Sequence, residues 1–190
     1  MDHELWLKLR KKGISGTDVS AILGDNPYKT ALDVWKDKLG LNPSRNTFMP
    51  DSTERMTMGH ELEGIVARQY AKSIGKWLVP GHFTTLHDWM RGTPDFTFYD
   101  EPIGLEIKTT GSDSVRKNLE NGIFEPMWVW QSRWYMAILD YDEWHICALS
   151  NGQKKFSTII QRDMNIELDM IKKCSKFWHE NVLKAIPPER

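Results

Sequence analysis

Gly92-Thr93-Pro94-Asp95-Phe96 is followed, after a short break, by Gly104-Leu105-Glu106-Ile107-Lys108-Thr109. Side chains alternate along a strand, so Glu106 and Lys108 share one face of the second segment while Leu105 and Ile107 take the other. A strand buried on both faces is ordinarily written as a continuous apolar run, without an acid and a cation set into it. Asp95 stands near the end of a strand read over Met90–Tyr99, and Asp100-Glu101-Pro102 is a turn-like break before a strand over Ile103–Thr109. A hairpin there brings Asp95 beside Glu106. Two carboxylates converging from adjacent strands suit Mg2+ or Mn2+, hard ions that take oxygen ligands and retain waters. The backbone carbonyl of Ile107 offers a further oxygen, and Lys108 is placed to orient or help deprotonate a water. Hydrolysis of a phosphodiester fits this set. From the residues alone an alternative stays open, in which Asp95 is a turn residue and Glu106–Lys108 an exposed ion pair on a solvent-facing strand.

Around these strands the pattern is helical. Glu4–Arg10 reads as a short entry helix. Ser15 or Thr17 caps a helix stopped at Gly24, and Thr30 caps another running to Gly40. Residues 41–57 read as an irregular connection holding Pro43 and Pro50. From Gly59, Leu62, Ile65, Val66, Gln69 and Tyr70 recur at helical spacing up to Gly75. Trp77–Thr85 reads as a strand, Ser114–Asn121 as a weak helix or loop, and Met127–Leu139 as a stronger helix. Trp144–Ser150 and Lys155–Gln161 form a hairpin about Asn151-Gly152. A last helix spans about 165–185, stopped by Pro187-Pro188. The order predicts an α/β or α+β domain, a mixed sheet flanked by helices.

At 190 residues the chain is long enough for one domain with a real core. The two cysteines, Cys147 and Cys174, are too few for a disulfide framework or a zinc finger and read as buried thiols of a reducing cytosol. No apolar run reaches the roughly 18–20 residues that span a bilayer, and Met1-Asp-His-Glu-Leu lacks the basic and apolar regions of a secretory leader. A cytoplasmic location is therefore expected. The net charge of −1 decides nothing about nucleic acid, because a basic groove can sit opposite an acidic face. Lys8, Arg10, Lys11 and Lys12 cluster, as do Lys154 and Lys155. His60 lies beside Glu61 and Glu63 but has no second histidine at ligand spacing, which argues against zinc. Gly13–Gly16 lacks the Lys-Ser/Thr ending of a phosphate-cradling loop. Trp128, Trp130 and Trp134 read as packing positions of one helix, with base stacking as the other use.

Pro94-Asp95 with Glu106-Ile107-Lys108 resembles the PD-(D/E)xK nuclease signature. Trp6-Leu-Lys-Leu-Arg10 through Gly13-Ile-Ser-Gly-Thr-Asp-Val-Ser-Ala-Ile-Leu23 resembles the opening block of phage lambda exonuclease and the YqaJ-type viral recombinases, and Asn26-Pro27-Tyr28-Lys29-Thr30 continues it. Gly59-His-Glu-Leu-Glu63 through Tyr70 is similar to the helix that carries an acidic residue in that family, and Trp130-Gln131 through Met136 to its glutamine-bearing helix. The resemblance implies a restriction-endonuclease-like core, with 1–190 a single nuclease domain. Within it, about 1–46 would be a helical block for the DNA end, 59–161 the catalytic core and 165–186 a C-terminal helix. It implies Mg2+-dependent, 5′-to-3′ degradation of one strand of double-stranded DNA from its ends. Asp95 and Glu106, with the Ile107 carbonyl, would hold the metal. Lys108 would be the catalytic lysine, with Glu63 and Gln131 beside it. Arg10, Thr17 and Thr93 would bind the 5′-phosphate, a task suited to the planar fork of arginine.

Lys12, Arg116, Lys117 and Arg133 are further candidates for DNA contacts. Arg133 stands where many members carry a second glutamine, and no residue between Thr109 and Met127 aligns securely with the family's further basic position. The resemblance also implies a ring-shaped trimer and a single-strand annealing protein as partner. An endonuclease or resolvase on the same core, and a DNA-end-binding module without catalysis, are the competing readings.

Overall fold

A computed structural model describes residues 2–41 and 50–189. The helices are α1 (His3–Lys11), α2 (Gly16–Leu23), α3 (Ala31–Lys38), α4 (Pro50–Ser73), α5 (Asp113–Glu120), α6 (Pro126–Leu139) and α7 (Met164–Lys176), the last extended by a π-helical turn over Phe177–Val182. The strands are β1 (Ile14–Ser15), β2 (Leu78–Pro80), β3 (Thr84–Leu86), β4 (Met90–Gly92), β5 (Phe96–Phe98), β6 (Ile103–Thr110), β7 (Glu143–Ser150) and β8 (Lys154–Gln161).

Five strands lie in the order β2-β5-β6-β7-β8, and only β6 and β7 run parallel. A parallel pair needs a crossover, which α5 and α6 supply. The main sheet is covered on both faces. Leu62, Val66, Ala67 and Tyr70 of α4 pack on Leu105, Ile107, Cys147 and Leu149. On the other face Trp128 of α6 and Leu119 of α5 meet Ile146 and Ala148. A larger cluster around Trp134 and Trp144 joins α6 to Ile14, Val19, Val34 and Met90. The smaller sheet, ordered β1-β4-β3, carries the opening helices against this cluster.

Local chemistry sets the helix ends. Ser15 and Asp18 form a capping box at α2, which stops at Gly24 in the left-handed region, and Thr30 with Asp33 does the same at α3. Ser112 caps α5, so the segment read as weak helix or loop is helical. Pro126 opens α6, where a missing N–H costs nothing.

Four expectations are corrected. Met90–Tyr99 is not one strand: β4 and β5 belong to different sheets, split at Thr93-Pro94-Asp95, where proline has no N–H to give a ladder. Trp77–Thr85 divides likewise into β2 and β3 about Gly81-His82-Phe83. The irregular connection over 41–57 falls partly on 42–49, outside the described residues, but from Pro50 onward it is helix α4. The last helix narrows from 165–185 to α7 and its π-helical turn. Both cysteines are buried free thiols, and Trp128 and Trp134 are core, while Trp130 is half-buried and its Nε1 donates to Asp25 Oδ2 at 2.7 Å.

Candidate active site

The antiparallel register Phe96↔Leu105 brings the start of β5 alongside the middle of β6. Asp95 lies one residue beyond it, and its Oδ2 accepts the Ile107 N–H at 2.8 Å. Its carbonyl accepts from Gly81 N at 2.9 Å. The approach at Gly81 leaves no room: a Cβ there would overlap the Pro94 carbonyl. Gly81→Ala is therefore expected to destabilise the protein by about 1–3 kcal/mol, as overpacking does. Chemical denaturation measures it, and a loss below about 0.5 kcal/mol, the surface background, would show that this backbone gives way easily.

Glu106 is 1% exposed, which overturns the reading of an exposed ion pair. The face of β6 that carries it is covered by α6. Its Oε1 accepts from Lys108 Nζ at 2.6 Å, and Nζ also donates to Gln131 Oε1 at 3.0 Å. The other carboxylate oxygen, Oε2, is buried without a hydrogen-bond partner. Glu63, on α4, accepts from or pairs with His60 Nδ1 at 3.0 Å.

The electrostatics follow from crowding acids out of water. Burial and then the Asp95 charge push the Glu106 carboxyl up to about 8. Asp95 is raised by burial against the pull of Lys108 and of the Ile107 N–H, and Glu63 by burial and then by Asp95. For Lys108, burial works against the ammonium, but Glu106 and Asp95 outweigh it and the amine is held above its ordinary value. Acidic groups thus outnumber cationic ones in a desolvated space, an arrangement with affinity for a cation.

A second cluster adjoins the first. Arg10 Nη2 donates to Thr17 Oγ1 at 2.6 Å, and the guanidinium lies 5.2 Å from the centre of the Trp6 ring. Trp6 Nε1 donates to Thr93 Oγ1 at 3.1 Å. Arg10, Thr17 and Thr93 are thus brought together, two residues ahead of Asp95. Other basic candidates point elsewhere. Arg116 engages Asp113 and Glu120 on its own helix, and Arg133 reaches the Gln161 carbonyl at 3.5 Å. Lys12 and Lys117 are exposed.

Two features escaped the sequence reading. Beneath the second cluster Asp18, fully buried, receives Lys38 Nζ at 2.6 Å and Lys29 Nζ at 2.8 Å, and Lys38 also donates to the Arg10 carbonyl at 3.0 Å. The available signal was Ser15-x-x-Asp18, a capping box just behind Arg10. The other is Tyr135, whose hydroxyl donates to the Thr93 carbonyl at 3.2 Å and accepts from Gln131 Nε2 at 3.0 Å.

A mixed sheet covered on both faces, with Asp95 ahead of the strand that bears Glu106 and Lys108, defines a restriction-endonuclease-like fold. The chain belongs to the family of the YqaJ-like viral recombinase domain, whose model matches residues 5–142. It is 30% identical to the uncharacterized protein YqaJ of Bacillus subtilis (strain 168) across 99% of its own length, and spans 59% of that relative. Among solved structures it is similar to an alkaline exonuclease from Laribacter hongkongensis, with a TM-score of 0.77 at 18% identity over 96% of this chain and 94% of that one. A phage related exonuclease from Haemophilus somnus 129PT gives a TM-score of 0.67 at 16% identity, over 95% and 98%. At such identities the likeness is one of fold, and it agrees with the family and core expected from the motifs.

Proposed function

We propose that this chain is a Mg2+-dependent exonuclease that degrades one strand of double-stranded DNA from its 5′ end toward 3′, in phage-type recombination by single-strand annealing. The observation that carries this is the buried Glu106 Oε2, left without a hydrogen-bond partner in a carboxyl group that feels the charges of both Asp95 and Lys108. Membership of a viral recombinase family supports it, as do two neighbours in fold named as exonucleases.

The donor set fits a hard cation better than zinc. Among the described residues no group of three or more His, Cys, Asp or Glu side chains is gathered to hold a metal. Two carboxylates, from Asp95 and Glu106, with the Ile107 carbonyl and solvent, match Mg2+, which keeps several waters and needs few protein ligands; Mn2+ could substitute. Such an ion, when bound, supplies Lewis-acid polarisation of the phosphodiester and acidifies water. The remaining roles belong to the chain. Lys108, fixed by Glu106 and Gln131, orients the attacking water and offsets charge on the phosphate. Glu63 adds an acid at the margin, and Gln131 keeps the lysine in place.

Arg10, Thr17 and Thr93 receive the 5′-phosphate, Arg10 by paired donors to its oxygens. Lys12, Arg116, Lys117 and Arg133 contact the duplex further out, so binding weakens steeply with salt. A ring-shaped trimer around the duplex, a single-strand annealing protein as partner and a cytoplasmic setting complete the reading.

Linear duplex labelled at either end, digested with and without Mg2+, tests polarity and metal dependence together. Early release of the 5′ label only with Mg2+ is expected. Cutting of circular duplex would favour an endonuclease, and end binding without digestion a non-catalytic module. Arg10→Ala should abolish the preference for 5′-phosphorylated over 5′-hydroxyl ends, lowering kcat/KM on the former by about 10–100-fold, in line with a lost charge-assisted contact of about 1.5–3 kcal/mol. Competition between the two ends measures this, and an unchanged preference would remove Arg10 from the pocket.

A further inference from the structure

Tyr135 sits where the two clusters meet, and its hydroxyl is a connection with a direction. The Thr93 carbonyl can only accept, so it commits the hydroxyl hydrogen and leaves Tyr135 a lone pair for Gln131. The Gln131 amide must then turn its NH2 toward Tyr135, at 3.0 Å, and its oxygen toward Lys108 Nζ, at 3.0 Å. Lys108 passes the sequence on to Glu106 Oε1 at 2.6 Å. At the other end Thr93 takes the Trp6 N–H on its hydroxyl, beside Arg10 and Thr17. One unbroken line of donors and acceptors therefore runs from Thr93 to Glu106.

The ring that carries this hydroxyl is wedged. A Cβ on Gly16 or on Gly92 would stand 3.0 Å from Tyr135 ring carbons, closer than side chains normally pack. Neither glycine has a positive φ, so their smallness serves the close approach of the ring rather than a backbone conformation. Gly16 opens α2, which bears Thr17, and Gly92 ends β4, which leads into Thr93. Tyr135 is thereby pressed against both backbone segments of the phosphate pocket while remaining 4% exposed.

We infer that Tyr135 is a positioning residue that couples recognition of the 5′-phosphorylated end to cleavage, by fixing the amide orientation of Gln131 and through it Lys108. This rests on the exonuclease reading above. Without the hydroxyl the Gln131 NH2 loses its acceptor, and of the two bonds that fix the amide only the one from Lys108 Nζ is left to hold it.

Tyr135→Phe keeps the wedge and removes only the hydroxyl. On a 5′-phosphorylated duplex, kcat is expected to fall about tenfold, within the range that small misplacements at a reacting centre produce, while KM stays within about twofold. In EDTA, Tyr135→Phe should still prefer the phosphorylated end as the wild type does. Its loss and that of Gln131→Ala should be non-additive in a double-mutant cycle. In the metal-free protein the Gln131 side-chain NH2 protons, slow to exchange in the wild type, should exchange faster in the variant. An unchanged kcat, additive losses, or unchanged exchange would each overturn the coupling, as would an equal fall in end binding and Tm, the mark of a merely structural tyrosine. A wild-type protein inactive on end-labelled duplex would sink the exonuclease reading instead, and the amide exchange would still decide the role of Tyr135.

Discussion

Glu106→Gln is expected to leave linear duplex intact in Mg2+ buffer, a loss on the order of 10³-fold or more, as when one member of a catalytic unit is removed. The substitution keeps shape and an acceptor for Lys108 but removes the carboxyl group that a bound cation would hold in its ionised form. Activity within tenfold of wild type would remove Glu106 from the metal site. A stability signature accompanies the loss. The folded carboxyl titrates near 8 against an ordinary value of 4.5, so between these pH values the folded state binds more protons than the unfolded one. The contribution of this carboxyl to the stability of the metal-free protein therefore falls as pH rises from about 4.5 to about 8. Asp95 and Glu63, both raised, slope the same way. Glu106→Gln should flatten much of this fall, read as Tm against pH in EDTA, at about 2–4 °C per kcal/mol for a chain of this size. Mg2+ requires ionised carboxylates, so its affinity and the activity should climb over the same interval. A pH dependence of the metal-free Tm left unchanged by Glu106→Gln would contradict the assignment.

Asp18→Ala is the substitution expected to cost the fold most, about 3–5 kcal/mol, because it strands a buried ammonium. The Lys38 side chain is 0% exposed, and without Asp18 its Nζ keeps only the Arg10 carbonyl among the partners described above. Lys38→Met in the same chain should recover part of the loss, since the uncompensated charge is then gone. Burial alone would raise the Asp18 carboxyl, but Lys38, Lys29 and Arg10 outweigh it and hold the group far below the carboxylate range. With a depressed folded value, its stabilisation is complete above the ordinary 3.8 and is lost only as pH falls through the folded value. Lys38, lowered by burial even beside Asp18, falls further without that carboxylate, so the gap between wild type and variant should narrow as pH rises and the stranded ammonium loses its proton. Denaturant titration at several pH values checks both features, and a cost under about 1 kcal/mol would show that the pair is not structural. Arg10 should shift with Lys38, so the variant is also expected to discriminate poorly between phosphorylated and unphosphorylated ends.

The acid–acid–lysine set was legible because each of its steps is local. Alternation placed Glu106 with Lys108, and a short hairpin returned Asp95 to Ile107. The same local reasoning failed at Met90–Tyr99, where the apolar run conceals a change of sheet at Pro94. It failed again at Pro50, since the periodic apolar positions that announce α4 begin only near Gly59. Lys38 reads as the solvated end of α3, and nothing in its neighbours reports an aspartate on α2. Tyr135 reads as one more aromatic on an apolar helix, because its acceptor lies 42 residues earlier in the chain.

Sequence by itself determined which side chains share a face, where helices are capped, and the family to which the chain belongs. Those properties depend on the two-residue and 3.6-residue periods and on neighbours a few positions away. Only the tertiary structure decided that the Glu106 face is buried rather than wet. That depends on the parallel pairing of β6 with β7, which returns α6 across the sheet and sets Gln131 against Lys108. A strand's period says where a carboxylate points, and the helix packed over it decides whether water is there to solvate the charge.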